Sequence, residues 1–215
     1  MSEETFKQTG PELKFKVRDA LLAVITVGGM RDVGPHLACA TEHKILNHYG
    51  RMIYERFYPY VLLTPAVVHC VSDSAILGVT PEVLQAIVRD VAKSVKELGI
   101  TRVMVLTACE AELEAAKRGL DSVDGIKKHA LGIWQFYPKI DELEGEDPLG
   151  KGGPYLTSQM MHIDRGYVKE GMLKYADQSF GIVGDPKKGS SEIGKTIAER
   201  VTESLIAESD AIMRG

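Results

Sequence analysis

The chain has 215 residues, enough for one sizeable hydrophobic core and short of the length at which cores divide. Its apolar and charged shares, 44% and 26%, are those of a globular protein and not of a disordered or fibrous one. A formal net charge of -4, with no basic cluster beyond pairs such as Lys127-Lys128 and Lys187-Lys188, argues against a nucleic-acid partner, which needs a concentrated positive face.

The opening MSEETFKQTG is polar and acidic, unlike a signal peptide, and the longest apolar runs are too short to cross a bilayer. Three widely spaced cysteines, Cys39, Cys70 and Cys109, make no disulfide framework and fit a reducing compartment. The expectation is a soluble, cytoplasmic chain forming one domain over residues 1–215, with no membrane partner.

In chain order, LLAVITV (residues 21–27) is a continuous apolar run stopped by Gly28-Gly29 and reads as a buried strand. Thr41 offers an N-cap to a helix running to about Phe57. Residues 60–69 form a second apolar run, in which Pro65 points to an edge position or a bulge. Thr80, Pro81 and Glu82 then open the clearest helix, with Val83, Leu84, Ile87, Val88, Val91, Val95 and Leu98 as its apolar stripe and Gly99 as its stop. A third strand is expected over 102–108, a short helix over 111–120 and a fourth strand over 129–137. Residues 141–153 lack apolar periodicity and read as a loop. A helix over 157–168, a last short strand over 180–183, and a final helix stepping through Ile193, Ile197, Val201 and Leu205 complete the chain.

Strands alternating with helices predict a three-layer α/β/α protein with a mainly parallel sheet. Ligands in such folds gather outside the carboxyl ends of the strands. That rule selects the loops GGMRDVGPHLACATEH, HCVSDS and CEAE, and the Gly-rich loop before Leu156.

These stretches carry a resemblance. VGGMRDVGPHLACATEHKIL resembles the opening signature of the creatininase (creatinine amidohydrolase) family, roughly P-V-G-S-x-E-Q-H-G-P-H-L-P-L-x-T-D. VVHCVSDS, RVMVLTACEAE, PYLTSQMM and FGIVGDPKKGSSEIGKTIAE follow in the order of that family's later landmarks. The resemblance implies a creatininase-like fold, a small-molecule substrate, a homo-oligomer and a dinuclear metal hydrolase. Gly34, Pro35, His36 and Leu37 match its pattern, and Glu42 stands conservatively at the bridging Asp. The other ligand positions depart from it: Arg31 stands at the first-loop Glu, Val33 at the His, Cys109 at the third-strand His and Ala111 at the Glu beyond it. Leu156 stands at a further Glu, and an upstream His falls on or near Lys151. Two closely spaced cations need several anionic and imidazole donors, whereas Arg31 brings a permanent positive charge and Val33 no donor, so a dinuclear centre is not expected.

Several readings remain open for the remodelled centre. One divalent metal, zinc or similar, could be held by Cys109 with His36, Glu42 or Cys70. Alternatively Cys109 or Cys70 is a thiolate nucleophile activated by an imidazole and a helix N-terminus. The bland reading is that the cysteines are packed as small hydrophobes. Arg31 and Lys151 could bind an anionic group, unless Arg31 merely pairs with Glu42 or Asp32. Cys70 and Ser72 join them as candidate substrate-binding residues. Glu110 and Glu112 read as acids favoured at a helix start. The function expected is a hydrolase of a small cyclic amide or other C–N substrate, with Cys109, Glu42, His36 and Arg31 as its catalytic set. The alternatives are a non-catalytic homologue that binds a ligand or a partner subunit, and a hydrolase that opens the ring of a cyclic ketone.

Overall fold

The computed structural model describes residues 9–71 and 75–215, without the side chain of Ser179. Its sheet has four parallel strands, β1 (Leu22–Val27), β2 (Val61–Leu63), β3 (Arg102–Thr107) and β4 (Lys127–Gly132), in the order β2-β1-β3-β4. Leu22 pairs with Val61, Ala23 with Val103 and Arg102 with Lys127. Among the described residues the helices are α1 (Gly10–Lys16), α2 (Thr41–Phe57), α3 (Pro81–Glu97), α4 (Glu110–Asp121), α5 (Pro154–Ile163) and α6 (Ser191–Arg214).

Alternation along the central strands divides the core into two layers. Leu22, Val24, Met104 and Leu106 face one side, where they pack with Ile45 and Tyr49 of α2, Met160 of α5, and Ile197, Val201 and Leu205 of α6. Ala23, Ile25, Val103 and Val105 face the other side, against Leu84 and Val88 of α3 and Ala116 and Leu120 of α4. Every residue of β1 is buried, as its unbroken apolar run requires of a strand covered on both faces. The expected three-layer α/β/α architecture is the observed one.

Local chemistry sets the boundaries. The Thr80 side chain accepts from the Val83 N–H with Pro81 in the first turn, and Gly99 follows the helix in the left-handed region at φ 92°. Ser190 caps α6 by accepting from the Ile193 N–H at 3.2 Å. Thr41 is not the cap of α2: Ala40 holds that place, and the Thr41 hydroxyl turns back to the Ala38 carbonyl at 2.7 Å. β2 keeps only three residues of its apolar run and is an edge strand, as Pro65 forecast, because a residue without an N–H cannot extend a ladder. β4 begins at Lys127 and ends at Gly132, where the chain winds into a 3₁₀ turn over Ile133–Phe136. The expected strand at 180–183 is absent. Gly181 and Gly184 adopt φ of 66° and 90°, and its tie to the neighbouring segment is the bond from Val183 N to Lys151 O at 2.9 Å. α5 starts three residues before the expected helix and stops at Ile163. In α3, Val83 is exposed and Ala92 takes a buried place on the packed face. Among the described residues no helix is long and apolar enough to cross a membrane.

α5 and α6 cross at Gly194, where an added Cβ would lie 1.9 Å from the Ser158 carbonyl oxygen. Alanine in a helix interior normally gains up to about 1 kcal/mol over glycine, but here overpacking decides the sign. Gly194→Ala is expected to lower the unfolding free energy by about 1–3 kcal/mol, read from the midpoint of a urea titration at unchanged slope.

Candidate functional site

β1 ends on Gly28-Gly29, and the loop that follows is pinned from three directions. Arg31 N–H donates to the Cys39 carbonyl at 3.0 Å, Ile76 N–H to the Met30 carbonyl at 2.9 Å, and Gly28 N–H to the Val67 carbonyl at 3.1 Å. Gly29 is required here by close approach: a Cβ would stand 2.5 Å from the Cys70 nitrogen and 2.8 Å from its sulfur. Its absence lets the segment after β2 lie against the loop after β1, with Cys70 Sγ 3.5 Å from the Met30 carbonyl oxygen.

These constraints aim the Arg31 side chain inward. The residue is only 7% exposed, and its guanidinium lies between two carboxylates. Arg31 Nε is 2.9 Å from Glu42 Oε2, in the first turn of α2. Arg31 Nη2 donates to Glu112 Oε1, in the first turn of α4, and the same oxygen accepts the Val71 N–H at 2.9 Å. Glu112 is 1% exposed, and its Oε2 is buried without a hydrogen-bond partner among the described residues. The Nε contact to Glu42 is an ion pair whose N–H points off the line to the oxygen, so Nε also lacks a hydrogen bond. Cys109, which precedes α4, and Cys70 complete the surround; both thiols interact with Arg31 and Glu112.

One cation and two carboxylates in a poorly solvated site carry a net negative charge when all are ionised, so proton uptake is favoured. Burial pushes the Glu42 carboxyl up to about 7, the Glu112 charge adds to the rise, and Arg31 opposes it. Burial would lower Arg31, but Glu42, Glu112 and Cys109 together hold it charged well above its ordinary range. Burial also pushes the Cys109 thiol up to about 11, with Glu112 adding and Arg31 opposing, and it raises Cys70. Both shifts disfavour the thiolate form, against the reading of an activated nucleophile.

His36 is not part of this group. It is fully buried, its Nε2 is 2.9 Å from Thr157 Oγ1, and burial lowers its pKa to about 4, so the ring is neutral. The expected metal set of Glu42, Cys109 and His36 does not assemble: among the described residues no three His, Cys, Asp or Glu side chains are arranged to hold a metal ion. The donors nearest one another are two carboxylates and two thiols, and the Arg31 guanidinium fills the space between them, so these residues do not fit a divalent centre. Lys151 Nζ lies beside Gly181, 3.3 Å from where a Cβ there would stand, and Lys151 is not among the groups that act on Arg31. Arg31 pairs with Glu42, as the simpler reading held. Asp32 is exposed and instead accepts the Gly34 N–H at 3.0 Å. Val33, 1% exposed, packs into the core with Leu37 and Tyr155. Ser72 lies outside the described residues.

Glu112 is the residue that sequence reasoning misjudged. Acids are common in a first helical turn, but Glu112 also falls on the i, i+3, i+4, i+7 stripe with Ala115, Ala116 and Gly119, all buried. A carboxylate on a buried stripe of small residues was the available signal. Tyr137 and Gln159 were likewise unforeseen. Gln159 Nε2 donates to the Tyr137 hydroxyl at 2.8 Å while its Oε1 accepts from the Tyr49 hydroxyl at 2.7 Å, and Tyr137 lies close enough to Glu42 to feel its charge.

Two outcomes follow from this electrostatic arrangement. Removing one side of a buried ion pair strands the other, so Arg31→Ala is expected to cost about 3–5 kcal/mol of stability in a denaturant titration. Glu42 binds its proton more tightly in the folded chain (about 7) than at its ordinary value of 4.5. Its contribution is complete below the lower value and is lost as pH rises through the higher one. Between them stability should fall by at most about 1.4 kcal/mol per pH unit on this account, and Glu42→Gln should flatten that slope.

Comparison with known proteins places these features in a lineage. Residues 7–208 match the family model described as Creatininase, creatinine amidohydrolase. No curated protein matches the sequence. A glutamate-to-glutamine mutant creatininase complexed with creatine superposes with a TM-score of 0.82 at 16% identity, over 98% of each chain. A structure titled "Creatininase Mn" gives 0.78 at 17% identity, over 94% of this chain and 95% of that one. A creatinine amidohydrolase from Bacteroides fragilis, described as putative in its own title, gives 0.69 at 16% identity, over 91% of each chain. With the family model matched along nearly its whole length and the fold shared end to end, this chain belongs to the creatininase family.

Proposed function

We propose that the protein is a creatininase-like hydrolase with a remodelled centre, acting on a small cyclic amide or another C–N substrate. The observation that carries this reading is the buried Arg31 held between Glu42 and Glu112, beyond the carboxyl ends of β1 and β3, where ligands of parallel α/β folds bind. Family membership supports the reaction class.

The chemistry uses this chain's own groups. Arg31 faces the substrate carbonyl oxygen and stabilises the negative charge that develops there. Glu42, whose side chain is 12% exposed and whose pKa is near neutrality, accepts a proton from water as the water oxygen bonds to the carbonyl carbon. When the tetrahedral intermediate collapses, the C–N bond breaks and the same proton passes to the departing nitrogen; in a cyclic substrate the ring opens. Glu112 holds the guanidinium in place, and the neutral thiol of Cys109 lines the centre. No step passes through a metal, because the residues present do not fit one.

A second reading has its own support. Both carboxylates are paired with Arg31, as in a structural cluster, which favours a non-catalytic protein that binds a small ligand or a partner subunit. A ring-opening hydrolase of a cyclic ketone would use the same polarised carbonyl with a C–C bond broken in place of C–N. Purified protein incubated with cyclic amides, cyclic ureides, formamides and cyclic diketones separates the three. Turnover of a C–N substrate, reduced roughly 100-fold or more in kcat by Glu42→Gln, is the expected result. Thermal stabilisation by such a compound without any turnover would establish the non-catalytic reading instead.

The exposed apolar side chains Val68, Ile76, Leu77 and Val83, on the segment leading from β2 into α3, support a homo-oligomer. Light scattering is expected to give a mass above that of one chain.

A further inference from the structure

Carboxylates and thiols from three separate loops converge at one point, and such donors are those that hold divalent cations in other proteins. Glu42 and Glu112 approach the point from the first turns of α2 and α4, and Cys70 and Cys109 flank it. Solved structures of the same fold include a manganese creatininase and one of zinc–zinc type. In this chain the point is taken by the Arg31 guanidinium.

We propose that Arg31 replaces the divalent cation at this centre: its guanidinium is a tethered positive charge seated between Glu42 and Glu112, and the centre takes up no divalent metal. A planar guanidinium spreads one charge over three nitrogens and can face two carboxylates from different sides, as Nε and Nη2 do here. A divalent ion seated beside it would have to displace Arg31 from both partners and leave that charge buried and unpaired. The pinned backbone of the first loop, with Arg31 N–H on Cys39 and Met30 carbonyl under Ile76, gives the side chain little room to withdraw. The Glu112 oxygen that has no partner among the described residues does not alter this, because a single carboxylate oxygen is too few donors for a divalent ion. The inference rests on the position of Arg31 and not on the hydrolytic reading; a chain with no turnover should refuse metal equally.

Two measurements test it. Wild-type protein is titrated with Mn2+, Zn2+ and Cd2+ by calorimetry, with the ultraviolet cadmium–thiolate band followed in parallel. The expected result is no stoichiometric binding, no thiolate band and no change in melting temperature on adding a chelator. One bound ion per chain with a cadmium–thiolate band that Cys109→Ser abolishes, or a chelator-induced fall in melting temperature, would overturn the proposal. In the second measurement Arg31→Ala, shown to be folded by circular dichroism, is melted in low guanidinium chloride and in equal potassium chloride. A seat shaped for guanidinium predicts a rise of about 2–4 °C specific to guanidinium in the variant and none in wild type. Identical responses to the two salts in the folded variant would show that the carboxylates do not form such a seat. Should the variant not fold, the wild-type titration decides alone.

Discussion

The contact on which the centre depends is the double ion pair of Arg31 with Glu42 and Glu112. Two loops far apart in sequence meet there: the one between β1 and α2 supplies the cation and, where α2 starts, one carboxylate, and the start of α4 supplies the other. Glu112 also accepts the Val71 N–H, so the segment after β2 is tied to the same point. The cost of removing three charged groups from water is several kcal/mol per ion, comparable with the attraction recovered, so the cluster adds specificity more than net stability. Its consequence is geometric: the loops at the carboxyl ends of β1, β2 and β3 have one arrangement in which no buried charge is stranded.

Around that point the chain removes bulk where backbones must approach. Gly29 makes room for Cys70, and Gly194 for the α5 carbonyl of Ser158. Gly119, whose Cβ would stand 2.7 Å from the Gln85 carbonyl oxygen, brings α4 against α3 and with it the N-terminal turn that carries Glu112. His36, a candidate ligand by its place in the first loop, serves the framework. A neutral, fully buried ring bonded to Thr157 ties the first loop to α5. The first loop therefore divides its labour: Arg31 turns to the centre, Val33 and Leu37 to the core, and His36 to α5.

Hydrophobic periodicity made most of the framework legible. The unbroken apolar runs of β1 and β3, the capped α3 and the four-residue steps of α6 all lie where their patterns place them, because burial on both faces or on one stripe leaves a one-dimensional trace. The pattern misled where short apolar segments had no ladder to join. FGIV at 180–183 is apolar enough for a strand, yet Gly181 and Gly184 turn the chain, and of its apolar side chains Ile182 is buried while Phe180 and Val183 are exposed. The run after Gly132 likewise looked extended and coils into a 3₁₀ turn.

The amino-acid sequence by itself determined the layered parallel sheet, the family, and the departure of Arg31 and Val33 from the donor pattern, since each is a matter of side-chain type and spacing along the chain. Only the tertiary structure decided that Arg31 takes both Glu42 and Glu112, that His36 belongs to the framework, that Lys151 lies beside Gly181 and that burial raises the Cys109 thiol. Charge pairing and desolvation depend on distances between residues as much as 81 positions apart, such as Arg31 and Glu112, and on how much water the packed loops admit. Neither quantity is written in local sequence.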